Sequence, residues 1–180
     1  MQNAETAREQ LPAHTLRVAG VVDDSIVDGP GLRFSVFVQG CPHHCPGCHN
    51  PQTHPFEGGT IMTVEELLGR FTGNPLLRGV TFSGGEPFCQ PGPLAELGRL
   101  VHEAGGDVYC YTGYTYEQLL QNPDPDVQAL LGETDVLVDG PFLLDQRDLT
   151  LTFRGSANQR LIDVKESQRQ GRAVELRLDD

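Results

Sequence analysis

The stretch GVTFSGGEPFCQPGPLAELGRLVHEA, residues 79–104, predicts the architecture of the chain. It opens with GVTFS (79–83), a short apolar run of strand length, and passes through a turn rich in glycine and proline. Beyond the turn, apolar residues recur at helical spacing at Leu94, Leu97, Val101 and Ala104. Leu100 widens this apolar stripe. Together these features predict one βα unit.

The same alternation of strands and helices continues on both sides of this unit. Further strands are predicted at LRVAGVV (16–22), LRFSVFV (32–38), DVYCY (107–111) and DVLVD (135–139). Further helices are predicted after Thr63, where TVEE has the spacing of a capping box, and at 116–120 and 126–131. Short strands that alternate with helices indicate an α/β fold, with a parallel sheet and crossover connections.

A single domain is the simplest organisation of this chain. At 180 residues it can bury roughly 70% of its unfolded surface, which is enough for a hydrophobic core. The sequence contains no internal repeat and no low-complexity linker. Because residues 1–14 are polar and aperiodic, they predict a flexible N-terminal leader, followed by one domain over 15–180.

Charge and cysteine content exclude several classes of protein. The formal net charge of −12, from 13 basic and 25 acidic residues, argues against binding to nucleic acid or to an anionic membrane. It is compatible with docking to a protein partner. Five cysteines without a secretory signal predict a reducing, cytoplasmic location, and no apolar run is long enough to span a bilayer.

Three of the cysteines lie in one short loop, CPHHCPGC (41–48), directly after a predicted strand. Three other loops follow predicted strands in the same way: SGGEP (83–87), YTGY (111–114) and DGPF (139–142). Because the carboxyl ends of parallel strands meet at one edge of a sheet, we expect these four loops to line one crevice.

The number of cysteines in this loop distinguishes a zinc site from an iron–sulfur cluster. A structural zinc site is closed by four ligands, and the loop supplies three thiols. A 4Fe–4S cluster tolerates the shortfall, because Cys41, Cys45 and Cys48 can bind three irons while the fourth iron keeps an open site. The alternative is a zinc-stabilised binding module, in which the distant Cys89 or Cys110 completes the ligands. Otherwise these two cysteines are predicted to be small buried apolar side chains.

The motifs resemble those of the radical S-adenosylmethionine superfamily. CPHHCPGC has the superfamily's cysteine spacing, and SGGEP resembles its GGEP motif. DGPGLR (28–33) is similar to the signature of glycyl-radical activating enzymes. FRGSANQR (153–160) and VQGCPHHCPGCHNPQTH (38–54) most closely resemble the activating proteins of anaerobic (class III) ribonucleoside-triphosphate reductase. The resemblance runs from about Leu16 to Val164.

This resemblance implies a partial parallel (βα) barrel and a specific chemistry. The open iron would chelate the amino and carboxylate groups of S-adenosylmethionine. Reductive cleavage would then give methionine and a 5′-deoxyadenosyl radical, which takes a hydrogen from a glycine of the partner reductase. The implied partners are the reductase and a low-potential electron donor such as flavodoxin or ferredoxin. The alternative within the same chemistry is the activase of another glycyl-radical enzyme, of the pyruvate formate-lyase type.

The resemblance also implies the residues that bind the cofactor. They are Gly84, Gly85, Glu86, Asp139 and Arg160, with Glu86 on the amino group. The two glycines also suit a tight turn, and Asp139 also suits a cap. The family often has a lysine two residues after this aspartate, where this chain has Pro141. Arg154 or Arg160 would supply that positive charge, and either is equally compatible with partner docking or a surface position.

Overall fold

The protein is described by a computed structural model, which covers residues 11–176. One sheet contains seven strands: β1 (Thr15–Ser25), β2 (Arg33–Val38), β3 (Thr60–Thr63), β4 (Gly79–Gly84), β5 (Asp107–Tyr111), β6 (Val136–Asp139) and β7 (Arg160–Asp163). Their order across the sheet is β3-β1-β2-β4-β5-β6-β7. The sheet ends at β3 and β7 without closing on itself, which confirms the predicted partial barrel.

Five helices accompany the sheet: α1 (Val64–Thr72), α2 (Pro91–Glu103), α3 (Tyr116–Gln121), α4 (Pro125–Glu133) and α5 (Val164–Gln170). The capping box predicted at the start of α1 is confirmed. Glu66 N donates to Thr63 Oγ1 at 3.0 Å, and Thr63 N donates to Glu66 Oε2 at 3.0 Å. This reciprocal pairing satisfies two backbone donors at the helix start.

The centre of the sheet is parallel, as predicted, and its edges are antiparallel. β2, β4, β5 and β6 pair in parallel. β1 runs antiparallel to both β2 and β3, and β7 runs antiparallel to β6. The prediction of a parallel sheet is therefore wrong at its edges. A parallel connection needs a crossover of a dozen or more residues, and the loop 26–32 between β1 and β2 is too short for one.

The core lies on both faces of the sheet. The larger cluster fills the space between the sheet and the helices, and its buried members include Phe34, Phe82, Leu94, Leu97 and Val108. A smaller cluster covers the other face and consists of Tyr109, Val136, Val138 and Leu161. Packing of the strands' apolar side chains against the helices fixes the strands in place. The polar loops at the carboxyl ends of the parallel strands are therefore held at one edge of the sheet.

Residues 1–10, which make up most of the predicted leader, lie outside the described residues, so that prediction is untested. At the start of the described chain, His14 O accepts a hydrogen bond from Val64 N at 2.9 Å. Among the described helices, none combines the length and apolar character needed to cross a membrane.

Candidate active site

A cavity of about 520 Å³ lies at the carboxyl ends of the four parallel strands. It is lined by the cysteine loop together with Ser83, Gly84, Tyr111, Gly113, Gly140 and Phe142. Those residues end or follow β4, β5 and β6. The prediction that four strand-end loops line one crevice is therefore confirmed.

The cysteine loop is closed at its base by backbone hydrogen bonds. Gly40 N donates to Thr53 O at 2.7 Å, and Cys41 N donates to His54 O at 3.0 Å. Cys41 is buried, whereas Cys45 and Cys48 are partly exposed, and all three line the cavity. The loop therefore presents its three thiols to one space.

The SGGEP turn lies directly against the end of β2. Gly85 N donates to Val38 O and Glu86 N donates to Gly40 O, both at 2.8 Å. Gly84 has a φ of 92°, and a Cβ built there would lie 2.6 Å from Val38 N. Both the left-handed backbone and the close approach require glycine. The two motifs are thus joined through the backbone where β2 and β4 end.

Glu86 is buried beneath the cysteine loop. Its Oε1 lies 2.7 Å from His43 Nε2 and accepts hydrogen bonds from Thr112 Oγ1 and Gly113 N, both at 2.8 Å. Its Oε2 accepts from Phe88 N at 3.0 Å. The carboxylate therefore connects the cysteine loop to the loop after β5. The sequence analysis did not predict this connection. The available signal was the pair of small residues in YTGY, Thr112 and Gly113, which donate to Glu86.

The His43 ring packs against the YTGY loop. Its ring centroid lies 4.5 Å from that of Tyr114 in an edge-to-face arrangement. A Cβ built on Gly113 would lie 2.5 Å from a ring carbon of His43. A side chain at position 113 would therefore require the His43 ring to move.

The donor set fits an iron–sulfur cluster. Thiolates are the usual protein ligands of such clusters, and three of them face the cavity. Within residues 11–176 no three Cys, His, Asp or Glu side chains are grouped closely enough to hold one metal ion. A 4Fe–4S cluster does not require such convergence, because each cysteine binds a different iron.

The zinc alternative needs a fourth cysteine near the loop, and the structure places both candidates elsewhere. Cys110 is fully buried in the larger core cluster. Cys89 lies in the wall of a second cavity that contains none of the three loop cysteines. Neither lines the cavity of the cysteine loop.

Burial raises the pKa of the Cys41 thiol to about 11, and the charges of Glu86 and Cys45 add to this effect. Backbone hydrogen bonds from His43 and His44 act in the opposite direction. The thiol must lose its proton to bind iron, so cluster binding at this position is coupled to proton release.

Comparison with known proteins agrees with this geometry. The family model of a 4Fe-4S single cluster domain matches residues 27–162. The anaerobic ribonucleoside-triphosphate reductase-activating protein of Vibrio cholerae is 38% identical over 143 residues, which cover 74% of this chain and 89% of that protein. The chain belongs to this family of activating proteins. The Escherichia coli K12 protein of the same name is 34% identical, with 74% of this chain and 90% of that protein covered.

Two further proteins match a smaller share of this chain. The pyruvate formate-lyase-activating enzyme of Clostridium pasteurianum is 40% identical over 122 residues, which cover 60% of this chain and 49% of that enzyme. Among solved structures, QueE from Escherichia coli gives a TM-score of 0.46 at 18% identity, with 64% of this chain and 58% of that chain covered. The likeness to the formate-lyase activase is therefore shorter than the likeness to the reductase activators.

Asp139 and Arg160, which were predicted to bind the cofactor, pair with each other. Arg160 Nη2 donates to Asp139 Oδ2 at 2.6 Å, and its Nε donates to Oδ1 at 3.1 Å. Asp139 Oδ2 also accepts from Tyr116 N at 2.8 Å, at the start of α3. Neither residue is among the described residues that line the cavity, whereas Gly84, Gly85 and Arg154 are. Glu86 does not line the cavity either, and a cofactor role for each of the five predicted residues stays a prediction.

Proposed function

We propose that this protein activates an anaerobic ribonucleoside-triphosphate reductase by generating a glycyl radical on it. The observation that carries the proposal is the shared cavity. In a member of the activator family, three thiols and the first three residues of the SGGEP turn, 83–85, line one space at the carboxyl ends of the strands. This is the edge of a parallel sheet at which ligands usually bind.

The proposed cofactors are a 4Fe–4S cluster and S-adenosylmethionine. Cys41, Cys45 and Cys48 would hold the cluster, which when bound supplies the electron that cleaves S-adenosylmethionine to methionine and a 5′-deoxyadenosyl radical. Gly84 and Gly85 would present the backbone of the turn to the methionyl group, because the absence of a Cβ lets both pack against the backbone at the end of β2. Glu86 fixes the position of the turn and of the cysteine loop together.

The reaction also needs an electron donor and a low-oxygen, reducing environment. We infer a small low-potential protein, such as flavodoxin or ferredoxin, as the donor, and the cytoplasm as the location. The support for this location is that free thiols in the cysteine loop must stay reduced to bind iron.

A second candidate is the activation of a formate-lyase-type enzyme. The 40% identity to the Clostridium pasteurianum activase favours it, while the shorter coverage of that enzyme makes it secondary. Both candidates use the same cofactors and differ in the protein that carries the glycine.

The test is an anaerobic activation assay. The reconstituted protein, a reductant and S-adenosylmethionine are mixed with the reductase of the same organism or with its formate-lyase-type enzymes. We expect a stable glycyl doublet by electron paramagnetic resonance on the reductase, and none when Cys45→Ala replaces the parent. A doublet on the formate-lyase-type enzyme alone would select the second candidate. Absence of cofactor cleavage with either partner would overturn both.

A further inference from the structure

The segment 153–160 (FRGSANQR) braces the loop that follows β6. Gln159 Oε1 accepts from Gly155 N at 2.8 Å and Gln159 Nε2 donates to Gly140 O at 3.1 Å. Asn158 Nδ2 donates to Pro141 O at 2.7 Å. The amide side chains of this segment are therefore committed to holding the backbone around Gly140 and Pro141 in place.

Arg160, at the end of the segment, is committed in the same way. Besides its two bonds to Asp139, it donates to both carboxylate oxygens of Glu117, at 3.1 and 2.7 Å. Hydrogen bonds to Asp139 and then to Glu117 raise the pKa of Arg160, and this guanidinium stays charged and paired. A cofactor carboxylate would have to compete with two carboxylates that Arg160 already holds.

Arg154 is different from the other polar residues of the segment. It is the only arginine or lysine among the described residues that line the cavity of the cysteine loop. Its Nε is buried, and within residues 11–176 it has no hydrogen-bond partner. Asp148 interacts with Arg154 at longer range, but Asp148 Oδ1 already accepts from Thr150 N and Oγ1, at 2.9 and 2.6 Å. No ion pair of Arg154 occurs within 4.0 Å in the described chain.

A buried guanidinium N–H without a partner is unfavourable, because water no longer compensates for the lost hydrogen bond. The backbone beside it is also strained, since Phe153 has a φ of 59°, which is uncommon for a bulky side chain. Phe153 packs against the smaller core cluster and also lines the cavity. Strain of this kind is concentrated at ligand sites, where the surrounding structure holds it.

We propose that Arg154 binds the carboxylate of the methionyl group of S-adenosylmethionine. The proposal rests on the proposed function. A guanidinium matches a carboxylate through two parallel hydrogen bonds, and Arg154 supplies the only arginine or lysine side chain among the described residues of this cavity.

The test is a binding comparison on the reconstituted protein with its cluster left oxidised, so that no cofactor is cleaved. The dissociation constants of S-adenosylmethionine and of decarboxylated S-adenosylmethionine are measured for the parent and for Arg154→Gln. We expect Arg154→Gln to weaken binding of S-adenosylmethionine on the order of 10- to 100-fold, as for a lost charge-assisted hydrogen bond, and to leave the decarboxylated analogue unaffected.

Two further variants make the comparison specific. Arg154→Lys keeps the charge without the planar fork and should recover part of the affinity. Arg147→Gln removes an exposed arginine that does not line the cavity, and it should bind like the parent. Parental affinity in Arg154→Gln, or equally weakened binding of both ligands, would overturn this inference and leave the proposed function standing. A parent that does not bind S-adenosylmethionine would remove the proposed function and this inference with it.

Discussion

At the scale of single residues, Glu86 has a structural role that a cofactor contact alone would not require. Replacing it with alanine would leave the buried donors of Thr112 and Phe88, and the partly buried donor of Gly113, without their acceptor. We expect Glu86→Ala to lower the free energy of unfolding by on the order of 3 kcal/mol, measured by chemical denaturation. Glu57→Ala, at an exposed glutamate, is the control. Equal stability of the two variants would contradict this role.

A second measurement addresses the predicted contact between Glu86 and the amino group of the cofactor. Glu86→Gln keeps the size of the side chain and removes its charge. We expect S-adenosylmethionine to change the spectrum of the reduced cluster, and the concentration that gives half of this change reports its binding. If the contact exists, Glu86→Gln should raise this concentration, corresponding to a loss of about 1–3 kcal/mol in binding free energy. A parental titration curve for Glu86→Gln would limit this residue to its structural role.

The five cysteines divide into two groups by position. Cys41, Cys45 and Cys48 line the cavity, and Cys89 and Cys110 do not. We expect replacement of any one of the first group by alanine to abolish the 4Fe–4S signal, because each removes the only protein ligand of one iron. Cys89→Ala and Cys110→Ala should retain about four irons per chain, measured by iron content after anaerobic reconstitution. Loss of iron in Cys89→Ala would reassign the ligands.

At the scale of elements, His102 joins α2 to the last residue of α4 and to the segment that precedes β6. Its Nδ1 lies 2.8 Å from Glu133 Oε2 and its Nε2 lies 2.6 Å from Asp135 Oδ2. Both nitrogens can donate only when the ring is protonated. Burial lowers the pKa of His102, but the hydrogen bonds to Asp135 and Glu133 outweigh it, and the pKa is raised above its ordinary 6.5.

The sign of the pH dependence follows from this direction. A raised pKa in the folded state stabilises the protein below pH 6.5, and this stabilisation is lost as pH rises through the folded pKa. We expect the free energy of unfolding to fall by on the order of 0.5–1 kcal/mol over that interval, since the cluster is partly exposed. His102→Gln should abolish the fall, and His14→Gln, at a side chain that is 69% exposed, should keep it. An unchanged profile in His102→Gln would contradict the assignment.

Element by element, the sequence was most informative where local chemistry decides the structure. The capping box at Thr63, the strand GVTFS and the apolar stripe of α2 each depend on neighbours in the chain, and all three are present. β3 and β7 were missed because each has only four residues and gains its strand geometry from pairing with a distant strand. Arg33 is fully buried, which the sequence did not predict. Its burial also depends on distant strands, because it contacts Val80 in β4 and Asp107 in β5.

The candidate site shows the same division. The thiols and the SGGEP turn were predictable because their spacing and position after strands carry the information. The pairing of Arg160 with Asp139 and Glu117 was not, because it depends on the antiparallel β6–β7 pair and on α3. A sequence containing two arginines in one motif does not distinguish the paired one from the one that faces the cavity.

At the scale of the whole molecule, the mouth of the cavity carries exposed apolar side chains. Val27, in the loop after β1, is 71% exposed, and Leu149, in the loop after β6, is 77% exposed. Both line the cavity from different loops. In the proposed function the glycine of the partner reaches a cofactor bound in this cavity, and apolar contacts at Val27 and Leu149 would hold the partner segment while water is excluded.

We therefore expect Val27→Ser and Leu149→Ser each to raise the reductase concentration needed for half-maximal glycyl-radical formation by roughly 3- to 10-fold, as for the loss of about 1 kcal/mol of apolar burial. Binding of S-adenosylmethionine should be unchanged. Leu76, which is also 77% exposed, precedes β4 at the opposite edge of the parallel strands, so Leu76→Ser is the matched control. The differences should persist at high salt, because an apolar contact is not screened by ions. Equal half-saturation in all three variants would place the reductase on another surface.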